Sequence, residues 1–141
     1  MERFLGPYSP QLYAIMRIVA GLMFAMHGTQ KLLGWPGDGN TVELASLMGF
    51  AGIVELVAGL MIAFGFLTGW AAFIASGQMA VAFFMAHFPE GWNPLLNNGE
   101  KAVLYCFLFL YMAARGSGIW SVDAAMGRGV RRDENRRASY T

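Results

Sequence analysis

The strongest constraint on this chain is the length of its apolar runs. Four stretches, about residues 10–33, 44–66, 69–87 and 99–115, each approach the ~20 residues an α-helix needs to cross a hydrocarbon core. Charge is scarce to match: 13% of the 141 residues are charged and 56% are apolar, against about 25% charged in an ordinary soluble domain. So little polar surface cannot wet a globule of this size. The expected fold class is all-α, a transmembrane four-helix bundle.

Local signals bound the runs. Ser9 stands where an N-cap belongs, and Pro10 suits a first helical position, where its missing N–H costs nothing. The linkers "GWPGDGN", "GFLTG" and "FPEGWNP" concentrate the Gly, Pro and Asn that break helices. The fourth run has a short apolar centre, Ala102 to Ala114, and can extend backwards through "NPLLNNGEK". The first run begins near Leu12, is broken by Arg17 and precedes further spans, so no cleaved signal peptide is expected.

Charge placement sets the expected orientation. Four spans return both termini to one side. Arg3, Arg115 and five arginines between Arg128 and Arg137 make that side cytoplasmic, while the first and third loops carry Asp38, Glu43 and Glu90 without arginine. Trp35, Trp92 and Trp120 flank spans, where interfacial indoles sit. The expectation is a multi-pass protein of a bacterial-type inner membrane, with a four-span domain over 1–123 and an Arg-rich cytoplasmic tail over 124–141. The basic run has no second patch beside it, so the bilayer is the expected partner and nucleic acid is not. Cys106 stands alone, which excludes a C-x-x-C redox pair and a Cys-ligated metal; no metal is expected.

Counting about 1.5 Å per residue from the cytoplasmic helix ends sorts the polar residues into two layers. Arg17 (roughly 8–10 Å), Gln78 (roughly 14 Å) and Glu55 (roughly 16 Å) form a mid-membrane layer. His27, Lys31, His87, Glu100 and Lys101 form an outer one, bordered by Trp35, Trp92, Asn97 and Asn98. Helical phase puts Arg17, Gly21, Phe24, Gly28 and Lys31 on one stripe, Gly52, Glu55 and Gly59 on a second, and Ala71, Ala75, Gln78, Ala82 and Ala86 on a third. Small residues let helices approach closely in lipid, so these stripes are the expected seams. A mid-span carboxylate needs a partner or a proton, and Arg17 is the expected partner of Glu55. Arg17, Glu55 and Gln78 then read either as a buried clamp fixing helix register or as part of a site. His27, Lys31, His87, Asn98 and Glu100 are candidates for an outer polar pocket. "FAMHGTQKLLGWPG" and "FMAHFPEGWNP" share F-x-x-H, then G-W and a proline, consistent with a two-helix duplication that would bring the two histidines together.

These segments resemble the DoxX family of small four-helix membrane proteins. The likeness is carried by "HGTQKLLGW", "GIVELVAGLMIAFGFLT", "MAVAFFMAHFP" with "NNGEKAVLYCF", and "RGSGIWSVD". Gly69 departs from it, where relatives often carry a basic residue. The resemblance implies that Arg17, His27, Lys31, Glu55, His87, Asn98 and Glu100 line the bundle interior. It also implies redox company: DoxX-like proteins are similar to a subunit of archaeal thiosulfate:quinone oxidoreductase, and a mycobacterial member is linked to an oxidative-stress complex. Fold alone does not transfer that chemistry.

Several function classes are therefore open. The leading one is a subunit of a membrane oxidoreductase complex binding a quinone or similar headgroup, with His27 or His87 donating to a carbonyl and exchanging protons beside Lys31 and Glu100. The main alternative is a non-enzymatic scaffold whose Arg-rich tail anchors soluble oxidative-stress partners. Haem held by His27 and His87 ranks lower. A small-solute transporter built on Glu55 and Arg17 would need a homo-oligomer.

Overall fold

A computed structural model describes residues 1–128. Those residues are helical throughout their ordered elements: α1 (Glu2–Leu5), α2 (Ser9–Leu33), α3 (Leu47–Phe64), α4 (Thr68–Ala82), α5 (Glu100–Arg115) and α6 (Val122–Ala125). Three helical stretches are long and apolar enough to cross a membrane: Glu2–Leu33, Leu47–Phe64 and Thr68–Glu90. At 16 residues, α5 spans roughly 24 Å, short of the ~30 Å hydrocarbon core. The Arg-rich tail expected over 124–141 begins inside α6 and lies outside the described residues from 129 onward.

The helix ends follow local chemistry, with three departures from expectation. A 3₁₀ turn over Gly6–Tyr8 leads directly into α2, so Ser9 is already helical and Tyr8, which offers no side-chain cap, precedes it. The second span begins at Leu47 rather than near Leu44, because Ser46 caps it by accepting a bond from the Gly49 N–H at 3.0 Å. The fourth does not extend backwards; residues 94–98 form turns, and α5 starts at Glu100. Both α2 and α3 end on glycines in the left-handed region, Gly34 and Gly65, where a side chain would be strained.

The molecule is built from two close helix pairs. In the first, α2 lies antiparallel on α3 with backbones almost touching. A Cβ on Gly21 would stand 2.5 Å from the Ala63 nitrogen, one on Gly28 2.5 Å from that of Leu56, and one on Gly59 2.5 Å from that of Ala25. Gly21, Ala25 and Gly28 thus interlock with Gly52, Gly59, Ala63 and the backbone of Leu56, positions recurring at alternating steps of four and three and small at all but Leu56. The second pair is α4 with α5, joined by Ser76 Oγ donating to the Cys106 carbonyl at 2.8 Å.

Aromatic rings close the space between the pairs. Phe24 on α2 meets Phe109 edge-on at 4.8 Å between centroids, and Tyr105 stacks on Phe109 at 5.3 Å. Large apolar side chains such as Phe50, Trp70, Phe73, Leu104 and Phe107 point outwards, an inside-out arrangement suited to lipid. On α4, Ala71 and Ala75 are buried as the stripe predicts, but Ala86 is exposed. It falls in a π-helical turn, Phe83–His87, whose extra residue per turn shifts the phase.

Candidate functional site

Glu55 is the one acidic side chain of α3, and it is 2% exposed at the centre of the bundle. Its Oε1 receives two donors, Lys31 Nζ at 2.6 Å from α2 and Gln78 Nε2 at 3.0 Å from α4. Gln78 Nε2 also reaches the Ala51 carbonyl at 3.3 Å. The second oxygen, Glu55 Oε2, is buried without a partner, and so is Gln78 Oε1. Three helices therefore converge on one carboxylate that is satisfied on one oxygen and bare on the other.

Arg17 does not pair with Glu55. The glycine seam sets Glu55 level with Gly28, eleven residues, or roughly 16 Å, along α2 from Arg17. Side chains also lean towards their own helix N-terminus. Lys31 and Glu55, on antiparallel helices, lean towards each other, while Arg17 leans away. The expected Arg17–Glu55–Gln78 clamp is thus replaced by Lys31–Glu55–Gln78.

Arg17 is fully buried and serves a second cluster. Its guanidinium donates to the carbonyls of Ile62 and Ala63, both at 2.7 Å, and to Trp120 at 2.7 Å, with Ile119 at 3.4 Å. A planar fork with several donors suits a set of carbonyls that a point ammonium cannot match. The segment after α5 is held beside it. Tyr13 donates to the Gly116 carbonyl at 2.6 Å, the Asp123 N–H reaches Gly65 O at 3.0 Å, and Ser117 donates to the Asp123 carboxylate. Arg115 lies 4.6 Å from the Tyr13 ring centroid, a cation–π contact. The "RGSGIWSVD" stretch is therefore docked on the ends of α2 and α3, a role its composition alone did not signal.

The outer candidates take separate partners. His27 is half-buried, edge-on to Tyr105 at 6.4 Å. His87 Nδ1 lies 3.0 Å from the Asn97 carbonyl. Asn97, 1% exposed, organises the loop by donating to Gly91 O at 2.7 Å and accepting from the Gly99 N–H at 2.8 Å. Its neighbour Asn98, singled out from the sequence, is exposed with a left-handed backbone. Glu100 is exposed in the first turn of α5. Among the described residues, no group of three His, Cys, Asp or Glu side chains is placed to hold a metal.

An apolar groove of about 320 Å³ runs between α2 and α5, open to the outer surface of the bundle. Met16, Val19 and Met23 line it from α2; Leu104, Tyr105 and Leu108 line it from α5, and Lys101 stands at one end. His27 packs on the Tyr105 ring beside it.

Comparison with known proteins decides the family. The DoxX family profile matches residues 12–88, more than half of the chain. The chain belongs to the DoxX family. This DoxX protein is 38% identical over 125 residues to an uncharacterized protein of Haemophilus influenzae, covering 84% of the chain and 93% of the relative. It is 30% identical over 120 residues to the inner membrane protein YqjF of Escherichia coli, covering 81% and 91%. No solved structure matches it. With three helices able to span the bilayer, this DoxX protein is a multi-pass protein of the inner membrane.

Proposed function

We propose that this DoxX protein is a redox-associated membrane subunit that takes up a quinone or a similar tailed headgroup from the lipid phase. The groove between α2 and α5 carries this reading. Its Met and Leu lining suits a flexible isoprenoid or acyl tail. Its one charged lining residue, Lys101, stands where a headgroup oxygen would need a donor. His27 is the remaining candidate near it, since Lys31 is held by Glu55 and His87 by Asn97. An imidazole there could donate to a carbonyl and exchange the proton of the reduced form.

Binding of a short-tailed quinone analogue to the purified protein, followed by quenching of Trp fluorescence, tests this. Saturable binding weakened at least about tenfold, or about 1.4 kcal/mol, by both His27→Ala and Met23→Phe supports it. Non-saturable quenching, equal in wild type and both variants, rejects it. Loss of cellular function on deleting residues 128–141, with His27→Ala silent, would favour the scaffold alternative.

A further inference from the structure

We propose that Glu55 is a reversible proton-binding site inside the membrane, with Lys31 stabilising its carboxylate and Gln78 its acid form. Proton binding at Glu55 is independent of quinone binding and follows from how the donors are distributed. Both donors to Glu55 converge on Oε1, while Oε2 and the nearby amide's Oε1 are buried with nothing to accept from. A bare carboxylate oxygen in an apolar interior is costly. A carboxylic acid and a primary amide, however, complement each other through two hydrogen bonds: amide N–H to acid carbonyl, and acid O–H to amide oxygen. The first is present, from Gln78 Nε2 to Glu55 Oε1 at 3.0 Å. The two atoms of the second are the two left unpartnered.

One proton on Oε2, directed at Gln78 Oε1, would complete the pair. The amide orientation agrees, because Nε2 also donates to Ala51 O; reversed, it would set two acceptors against each other. Lys31 supports the other state, with its ammonium 2.6 Å from Oε1. Its side chain is 24% exposed against 3% for Glu55, so the proton exchanges on the side where α2 ends. When Glu55 takes up the proton, the ammonium loses its counter-ion and is free to turn towards that boundary.

The titratable surroundings are sparse. From α2 they are Lys31 and, one turn earlier, His27, which faces Tyr105. Thr68–Ala82 of α4 holds no titratable side chain and offers only Gln78, and α3 holds none besides Glu55.

Infrared difference spectra of the protein in liposomes, taken between roughly pH 4 and pH 9, test this. Glu55→Gln serves as the subtraction that removes the exposed carboxyls, and circular dichroism checks that each variant is folded. The expected result is a reversible protonated-carboxyl C=O band present in wild type and missing from Glu55→Gln. In Gln78→Leu the band moves to higher frequency, having lost its amide partner. In Lys31→Met it persists to higher pH. A wild-type spectrum with no Glu55-dependent acid band in this range overturns the proposal and leaves the two oxygens to a shared water. A band unmoved by Gln78→Leu overturns the acid–amide pair.

Discussion

Lys31 Nζ lies 2.6 Å from Glu55 Oε1, and this ion pair joins the two helices that also share the glycine seam. The pair and the seam are one construction. Gly52 sits against Lys31 and Leu32, with a Cβ there only 3.1 Å from each of those side chains. The close approach of α2 to α3 is what brings a lysine stem alongside the carboxylate one turn further on. Gln78 then adds the third helix, tying the α2/α3 pair to α4.

Lys31→Met leaves the buried carboxylate without its counter-charge. Loss of one partner of a fully buried pair costs about 3–5 kcal/mol; with Lys31 24% exposed and Glu55 able to take up a proton, the cost here should fall below that range. Lys31→Met with Glu55→Gln should cost less than Lys31→Met alone, because no unpaired charge remains. Reversible unfolding in mixed micelles, arranged as a double-mutant cycle, checks the sign of this coupling.

Arg17→Lys cannot reproduce the carbonyl set that the guanidinium holds. The segment from Gly116 to Asp123 should then come away from the ends of α2 and α3. Limited trypsin digestion should cut after Arg115 several-fold faster in this variant than in wild type. Equal rates would mean that Tyr13 and Gly65 hold the segment unaided.

Two helical glycines should respond oppositely to alanine. Gly59→Ala drives a Cβ to 2.5 Å from the Ala25 backbone nitrogen, so α2 and α3 must separate at a cost of about 1–3 kcal/mol or more. Gly77 has open space around its Cβ position. Gly77→Ala should stabilise by up to about 1 kcal/mol through helix propensity. Thermal unfolding of the two variants measures the contrast.

Asn97→Ala frees the Gly91 carbonyl, which is exposed, and the Gly99 N–H, which is buried; leaving the buried one unpaired costs about 1–3 kcal/mol. Asn98→Ala loses only the ease with which Asn takes a left-handed backbone, about 1 kcal/mol. Backbone amide exchange in the loop between α4 and α5 should rise markedly in the first variant and little in the second.

The helical architecture was legible because its causes are local. Apolar length, Gly- and Pro-rich linkers and small-residue stripes need only neighbouring residues, and they located α2 to α5 to within a few positions. Burial of Arg17, Glu55 and the glycines followed from the same periodicity. The local reading failed where two cues competed for one residue. Ser9 has the chemistry of a cap, but the preceding turn was already helical, and Ala86 fits an α-period that the π turn breaks.

Partner choice was decided by the tertiary structure. Depth counted from each helix end treats side chains as points, whereas they lean towards their own N-termini by several ångströms. That lean, together with the seam's register, takes Glu55 from Arg17 and gives it to Lys31. Arg17 meets carbonyls contributed partly by Trp120, 103 residues away, a distance no local pattern spans. Asn97 and Asn98 are identical in sequence terms, and only the path of the loop makes one the organiser and the other a surface residue. The sequence by itself determined that the chain is helical, membrane-bound and closely packed. The fold alone determined which charge faces which, because that depends on register and direction between helices.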